Sequence, residues 1–291
     1  MKRWLNKHTN MLLALPAILL TIVMIAYPIG YSLYMSLCEW NMSVNSTPSY
    51  VGFSNYQYIV KDRNFLSGLW FTIRYSVYAV VIETILGTSI ALFASKIKRG
   101  GTFIKTVAIL PMVTTPIVIG MLWKMMMDPA IGVFNTILKR VGLPTSTWLT
   151  AVDTVVPSLV LITVWFGTPM FMLIVLSGIT SLPQDCYDAA YIDGANSWQT
   201  LTMITLPLLK QTIGVAVILK TIDSLKTFDI IYSSTQGGPQ NATINLNYFI
   251  YKNLFEYFKI GRASAALIIF LGIVFALSVI MILLQKQNEV E

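Results

Sequence analysis

Charge is scarce in this chain: only 11% of its 291 residues are Asp, Glu, Lys or Arg, whereas 55% are hydrophobic. A soluble domain usually has about 25% charged residues, so this chain could not cover a water-facing surface. Histidine is nearly absent as well, since His8 is the single example. That scarcity excludes catalytic triads built on histidine and zinc sites built on paired histidines.

Three further absences narrow the function. The sequence has no G-x-x-x-x-G-K-[ST] phosphate-binding loop, so any ATP that drives this protein must be bound by a partner. The two cysteines, Cys38 and Cys186, lack metal-site spacing and are predicted to flank different membrane spans, which disfavours a disulfide. The net charge of +7 comes from dispersed basic residues, without the clustered basic surface that binds nucleic acid.

Long uncharged runs are what the sequence has instead. About 20 apolar residues span a bilayer, and residues 11–37, 154–184 and 263–285 carry no charge. The first run is too long for the apolar region of a cleaved signal peptide. We predict an all-α integral membrane protein with six transmembrane helices in a single domain, residues 1–291, with spans at about 11–37, 68–95, 105–127, 155–176, 208–232 and 262–284. Prolines in the third and fourth spans should bend them.

The basic residues predict which side of the membrane each loop occupies. Under the six-span arrangement the two sides hold equal numbers of them, so the count alone does not decide. The loop Lys96–Lys105 is the densest, because four of its ten residues are basic, and short dense loops dominate orientation. We therefore expect both termini on the cytoplasmic side, together with the connector between the fourth and fifth spans, residues 181–207.

This connector has three acids and no Lys or Arg, which is unusual for a cytoplasmic loop. Pro183 suits the start of a helix, and Gly194 permits the positive-φ turn that ends one. Asn196 followed by Gln199 reads as a capping box that starts a second helix. Apolar residues at a spacing of three are expected to pack back against the spans: Trp198, Leu201 and Ile204. The pattern predicts a docking surface for another protein.

The connector resembles the signature of permease subunits of binding-protein-dependent ABC importers. That signature is Glu-Ala-Ala, three residues, Gly, nine residues, then Ile-x-Leu-Pro. This chain keeps every spacing and departs only in its first residue, an aspartate that retains the charge on a shorter arm. The matching residues are Asp188, Ala189, Ala190, Gly194, Ile204, Leu206 and Pro207. The resemblance implies a coupling helix seated in a groove of an ATPase; the alternative is a plain structured loop.

Two other stretches are similar to the carbohydrate importers of the maltose and glycerol-3-phosphate type. One is the third span and the residues after it, which contain Ile-Leu-Pro at 109–111, Thr-Pro at 115–116 and Asp-Pro at 128–129. The other is Thr235-x-Gly-Gly-Pro followed by Thr243, which resembles the family's extracytoplasmic loop before the last span. Gly237, Gly238 and Pro239 then become candidate contacts with a binding protein, although they also fit an ordinary turn.

The resemblance implies the fold of a type I ABC importer permease, which forms half of a translocation path for a sugar, polyol or related solute. It implies a second permease subunit, commonly in a heterodimer, two ATPase subunits that bind ATP and Mg, and an extracytoplasmic solute-binding protein. It further implies no cofactor on this chain and a place in the bacterial cytoplasmic (inner) membrane. The rival is an ion-coupled secondary transporter or channel subunit, which would not need a docking helix.

Charged residues inside the predicted spans are costly in lipid, so they indicate functional or pairing sites. Glu83 in the second span either lines the path or bonds to a neighbouring helix. In the fifth span Lys220, Asp223, Lys226 and Asp229 alternate in sign at a spacing of three, which predicts a ladder of ion pairs on one helix. This ladder either lines the path or forms a gate. The candidate path residues are Glu83, Trp165, Asp223 and Lys226. For Trp165 the alternative is ordinary packing of an aromatic side chain.

Overall fold

The protein is mostly helical in the computed structural model, which describes residues 2–44, 46–97 and 101–290. Within these residues the only strands are β1 (Cys38–Glu39) and β2 (Ser49–Tyr50), which pair antiparallel. The prediction of an all-α protein is confirmed. Lys98 and Arg99, on which the orientation prediction partly rests, lie outside the described residues.

Thirteen α-helices and two π-helical turns make up the helical part of the described chain. The α-helices are α1 (Lys2–Ser36), α2 (Ser54–Ile59), α3 (Arg63–Lys96), α4 (Gly101–Val113), α5 (Pro116–Met126), α6 (Val133–Arg140), α7 (Val152–Thr180), α8 (Gln184–Ile192), α9 (Ser197–Gln199), α10 (Leu206–Leu225), α11 (Asp229–Ser234), α12 (Leu246–Tyr251) and α13 (Ile260–Val290). The π-helical turns are Thr200–Thr205 and Lys252–Glu256.

Five of the described helices are long and apolar enough to cross a membrane, counting Ser197–Leu225 as one continuous helix. A sixth crossing requires α4 and α5 together, because Lys105–Val113 and Pro116–Met126 meet at a bend of 97°. Proline lacks the N–H that would continue a helix, and Pro116 stands at the start of α5. The predicted bend of the third span is therefore sharp, whereas α7 runs unbroken through Pro169.

Contacts divide the chain into two compact units. One comprises Met1–Phe65 and Phe249–Gly272, and the other comprises Leu66–Tyr248 and Ile273–Glu291. The prediction that residues 1–291 form a single domain stays a prediction.

The first unit contains α1 and the short elements that follow it. Buried Asn55 donates two hydrogen bonds of 2.9 Å from Nδ2, to the carbonyls of Ser36 and Cys38. The guanidinium of Arg262 stacks over the Tyr58 ring at 3.7 Å from its centroid. These contacts tie α2 to the end of α1, to β1 and to the first turn of α13. The most apolar 18-residue stretch of α1, which lies within Ala14–Ser36, contains no buried residue.

The second unit is built around α7, which packs against α4, α5, α10 and α11. A helix that is apolar all round is normally buried, and α7 is the most deeply buried of the long helices. One end of its core contains Phe71, Leu159, Ile162 and Ile231, among others. The other end contains Phe171, Val175, Leu209 and Ala216. This core positions the groups considered next.

Candidate functional site

The connector forms two helical segments around a glycine turn. α8 follows Pro183, and Gly194 has φ of +74°, a left-handed conformation that glycine adopts without a Cβ clash. The next helix begins with a capping box. The Gln199 N–H donates to Asn196 Oδ1 at 2.9 Å, and the Asn196 N–H donates to Gln199 Oε1 at 2.8 Å. The order of helix, glycine turn and capped helix matches the sequence-based prediction.

The leading residues of the signature divide between the surface and the interior. Asp188 and Ala189 are exposed, whereas Ala190 is buried. Asp188 Oδ1 accepts a 3.1 Å hydrogen bond from Gln184 Nε2, one turn earlier on α8. A partner could therefore reach Asp188 and Ala189 directly, while Ala190 contributes only close packing.

The trailing residues of the signature join the connector to the fifth span. Ile204 lies in the π-helical turn, and Leu206 and Pro207 begin α10. Pro207 follows the π-helical turn directly inside the continuous helix Ser197–Leu225, and its missing N–H interrupts the helical hydrogen-bond pattern at this junction. The hydroxyls of Tyr187 and Thr205 lie 3.2 Å apart and tie α8 to this turn. A force on α8 would thus reach α10 through a short path.

The connector exposes an apolar face, which we define as Tyr191, Ile192, Trp198 and Met203. Tyr191 is 86% and Ile192 is 82% exposed. The prediction that Trp198 packs back against the spans is wrong, because this residue is 71% exposed, although Leu201 and Ile204 are partly buried. The π-helical turn winds more widely than an α-helix, so a spacing of three does not keep these residues on one face.

A buried ion pair joins α3 to α10. Lys220 Nζ lies 3.4 Å from Glu83 Oε2 and 3.2 Å from Asp223 Oδ2. Glu83 is 1% and Lys220 is 4% exposed, whereas the Asp223 side chain is 59% exposed. A buried charge is strongly destabilising without a partner. Lys220 therefore neutralises Glu83, while Asp223 remains accessible to a solute.

Gly167 lets α7 approach this ion pair. A Cβ at position 167 would lie 2.7 Å from Glu83 Cδ and 2.8 Å from Lys220 Nζ. Real Cβ atoms essentially never lie this close to an atom that they are not bonded to, so Glu83 or Lys220 would have to shift. The absence of a side chain at Gly167 is thus a steric requirement of the pair.

The predicted charge ladder does not continue along one helix. α10 ends at Leu225, and Asp229 begins α11, so Lys226 lies in the break. No ion pair joins Lys226 to Asp229 in the part of the chain that the structure describes. The ladder prediction is therefore wrong beyond Asp223.

Tertiary hydrogen bonds stabilise the end of α10. Asn247 Nδ2 donates to the Leu225 carbonyl at 3.1 Å, and Asn245 Nδ2 donates to the Thr227 carbonyl. Carbonyls at a helix end need such partners. These donors lie about 20 residues away in the sequence, just before α12 and in its first turn, and the charge pattern did not reveal them.

A cavity of about 230 Å³ brings three of the four candidate path residues together: Glu83, Asp223 and Lys226. Lys220 and Asp229 line it as well, together with hydroxyl groups of Thr163, Ser224 and Thr227. In the described part of the chain, the buried Oγ atom of Ser224 has no hydrogen-bond partner, and the buried Oε2 atom of Glu83 has the ion pair with Lys220 but no hydrogen bond. Polar groups of this kind suit a solute rich in hydroxyls, because each can donate or accept.

Trp165, the fourth candidate, does not line this cavity. Its ring packs edge-on against Trp123 of α5, with the centroids 5.5 Å apart. Trp123 also contacts Phe134, at 5.3 Å. The location of Trp165 in an aromatic cluster favours the packing alternative.

Contacts between nearby residues of the chain hold the Gly-Gly-Pro loop in place. Thr235 and Thr243 lie 2.9 Å apart through their hydroxyls. Gly237 is buried at φ of +80°, and a Cβ there would lie 2.8 Å from the Tyr248 ring. Gly238 and Pro239 instead line a surface cavity of about 340 Å³. A partner would therefore meet Gly238 and Pro239 rather than Gly237.

Asp128 lines the same cavity from the end of the third span. Its Oδ1 accepts the N–H groups of Ile131 at 3.0 Å and Ala130 at 2.9 Å. Hydrogen bonds to a carboxylate favour its charged form, so these two bonds lower the pKa of Asp128 below its usual value. The cavity thus has a fixed negative charge beside Lys124.

Two residues of the site escaped the candidate set from the sequence. Lys220 was assigned only to the ladder. Glu83 and Lys220 are opposite charges in two different predicted spans, and this could have indicated an ion pair between the spans. Gly167 carries no signal of its own, since its role depends on where α3 and α10 place Glu83 and Lys220. Among the described residues, no group of three or more His, Cys, Asp or Glu could hold a metal ion.

Comparison with known proteins identifies close relatives of this sequence. The family model described as "Binding-protein-dependent transport system inner membrane component" matches residues 83–289. The trehalose/maltose transport system permease protein MalF of Thermococcus litoralis is 36% identical over 258 residues, which cover 88% of this chain and 87% of that protein. The sn-glycerol-3-phosphate transport system permease protein UgpA of Rhizobium meliloti is 31% identical over 274 residues, with 94% and 93% covered.

A solved structure shares the fold. A bacterial ABC transporter involved in the import of the acidic polysaccharide alginate matches with a TM-score of 0.86 over 99% of both chains. The two sequences are 19% identical, so this similarity concerns the fold alone.

Proposed function

Because this chain belongs to the family of inner membrane components of binding-protein-dependent transport systems, we propose that it forms half of the translocation path of an ATP-driven importer for a sugar, polyol or related solute. It is a transport subunit, and the ATPase is a separate subunit. The names of the relatives, which specify trehalose/maltose and sn-glycerol-3-phosphate transport, support this solute class. The hydroxyl-rich cavity around Asp223 supports it as well.

The observation that carries the proposal is the apolar face of the connector. Full burial of one large apolar side chain contributes about 1.5–3 kcal/mol, and four such side chains are exposed here. A cytoplasmic ATPase subunit that covers Tyr191 and Ile192 would gain much of this free energy. Asp188 and Ala189, beside them on α8, would then contact the ATPase, and Gly194 would set the angle of the turn.

The remaining partners follow from the same assignment. A second permease subunit, in a heterodimer, completes the path; two ATPase subunits bind ATP and Mg; and a solute-binding protein docks on the opposite side, at Gly238 and Pro239. Both termini and the connector lie in the cytoplasm, and the protein resides in the bacterial cytoplasmic membrane. Within the cavity Asp223 and Lys226 face the solute, whereas Glu83 acts through its pair with Lys220.

Crosslinking of the assembled importer in membranes tests this docking. In a Cys186→Ser background, where Cys38 is buried, Ala189→Cys should form a thiol-to-amine crosslink with an ATPase subunit. Ala190→Cys is the matched control, because it is adjacent in sequence but buried, and it should react weakly. The docking proposal fails if Ala189→Cys and Ile192→Cys both give no ATPase product across several spacer lengths.

A second measurement separates the importer from the rival, an ion-coupled transporter or channel subunit. Uptake in right-side-out vesicles should stop when the phosphate-loop lysine of the ATPase subunit is replaced. It should continue when the proton and sodium gradients are collapsed while ATP is maintained. The reverse pattern would support the rival.

A further inference from the structure

A groove of about 610 Å³ lies between α3 and α7, away from the solute cavity and the connector. Its walls on α3 are Arg74, Tyr78, Ile82 and Leu86, which follow one another at a spacing of four along one face. From Arg74 to Leu86 the groove extends for about 18 Å along the helix, at 1.5 Å per residue. Its walls on α7 are almost entirely apolar.

Two opposite charges stand at one end of this groove, Arg74 on α3 and Asp153 on α7. They do not form an ion pair with each other in the described structure. Arg74 Nε is buried and has no hydrogen-bond partner within the described residues. An arginine inside a membrane span is costly unless its donors are satisfied, so this end of the groove lacks a partner group.

The relative level of the two charges follows from the packing of the two helices. The side chain of Glu83 reaches Gly167, that of Phe171 reaches Gly87, and the hydroxyls of Tyr75 and Thr163 are hydrogen-bonded, so positions on α3 are level with positions about 84–88 residues later on α7. Asp153 therefore stands about five to nine residues, or roughly 7–14 Å, beyond Arg74 in the direction away from the connector. The groove thus has a carboxylate outermost, a guanidinium next, and apolar walls toward the membrane centre.

We propose that this groove binds a phosphatidylethanolamine-type lipid from the leaflet opposite the connector. Its phosphate would accept hydrogen bonds from Arg74, its primary ammonium would donate to Asp153, and an acyl chain would lie along Ile82, Leu86 and Val164. The order of groups in such a lipid, with the ammonium outside the phosphate, matches the order in the groove. An anionic headgroup would lack a partner for Asp153, and a quaternary ammonium could not donate a hydrogen bond to it.

Tyr78 provides a direct test, because it lines the groove and is half exposed. The assembled importer, with p-benzoylphenylalanine in place of Tyr78, is reconstituted into nanodiscs of equal phosphatidylethanolamine and phosphatidylglycerol and irradiated. Val77, exposed on the same helix but outside the groove, is the matched control. Mass spectrometry then compares the lipid adducts at the two positions.

The ratio of ethanolamine to glycerol adducts should be up to about fivefold higher at position 78 than at position 77, the upper value for one exposed ion pair, here between the ethanolamine ammonium and Asp153. Asp153→Asn should remove this enrichment and shift the adducts toward phosphatidylglycerol, whereas Arg74→Gln should lower the yield of both adducts at position 78 and Arg74→Lys should retain it. Equal ratios at both positions would overturn the proposal. So would a crosslink from position 78 to the second permease subunit, or a lack of lipid adducts there while position 77 reacts.

Discussion

Replacing Gly167 with alanine should disrupt the buried ion pair at the centre of the second unit. The new Cβ would lie 2.7 Å from Glu83 Cδ and 2.8 Å from Lys220 Nζ, so Glu83 or Lys220 must move. Both belong to the pair that joins α3 to α10, at 3.4 Å between Lys220 Nζ and Glu83 Oε2. The substitution adds one methyl group and no charge, so its effect reports on steric fit once the gain in helix propensity from glycine to alanine is subtracted.

The expected loss is large for so small a change. Breaking a buried ion pair costs about 3–5 kcal/mol, because a charge remains buried without its partner. For a chain of this size each kcal/mol lowers the Tm by about 2–4 °C, so a loss of 3 kcal/mol corresponds to roughly 6–12 °C. Gly272→Ala is the matched control, since Gly272 lies within α13 and has nothing within 4 Å of its Cβ position.

Thermal unfolding of the purified importer measures this difference. Gly167→Ala should lower the Tm by several degrees, whereas Gly272→Ala should leave it unchanged or raise it slightly, because alanine favours helix over glycine. The double variant Gly167→Ala/Glu83→Gln should lose less than the sum of the single variants, since both act on one interaction. Equal Tm values for Gly167→Ala and Gly272→Ala would refute the steric reasoning.

Substitutions at four other positions test the connector and the cavity. Gly194→Ala should cost about 1–2 kcal/mol of left-handed strain and abolish uptake. Gly142→Ala is the control, because Gly142 has the same φ of +74° and equally open space, and it should carry the strain without loss of uptake. Equal uptake in both variants would contradict the coupling role. Asn196→Ala should weaken the second helix of the connector by about 1 kcal/mol, and Asn196→Ser should restore it. The measurement is ATPase activity coupled to uptake. Unchanged coupled activity in Asn196→Ala would argue against a role for this cap. Asp223→Asn and Lys226→Gln should slow uptake about tenfold, the value of one hydrogen bond to a charged group; a loss only in the amount of assembled complex would favour a purely structural role.

Much of the architecture could be predicted from local features. Uncharged runs indicated the long helices, and the order of Gly194, Asn196 and Gln199 indicated a turn followed by a capped helix. The family itself was recognised from the spacing of the connector signature, and the relatives confirm it. These features depend on residues close together in the chain, where helix propensity and capping act.

The predictions that failed depend on distant contacts. The ladder was extended through Lys226 because nothing in the fifth span signals its end, whereas Asn245 and Asn247 supply the hydrogen bonds that terminate α10. Trp198 was assigned to the packed face because the π-helical turn that follows it was not anticipated. The end of α10 was thus decided by hydrogen-bond partners about 20 residues away in the sequence.

The sequence by itself determined that this protein is a helical membrane permease, because hydropathy and signature spacing are local properties of the chain. Only the tertiary structure decided which charges act together. Glu83 and Lys220 are separated by more than a hundred residues, yet they form one buried pair because Gly167 allows α7, α3 and α10 to meet at one point. Burial makes such a pairing obligatory, but the identity of the partner is set by how the helices pack.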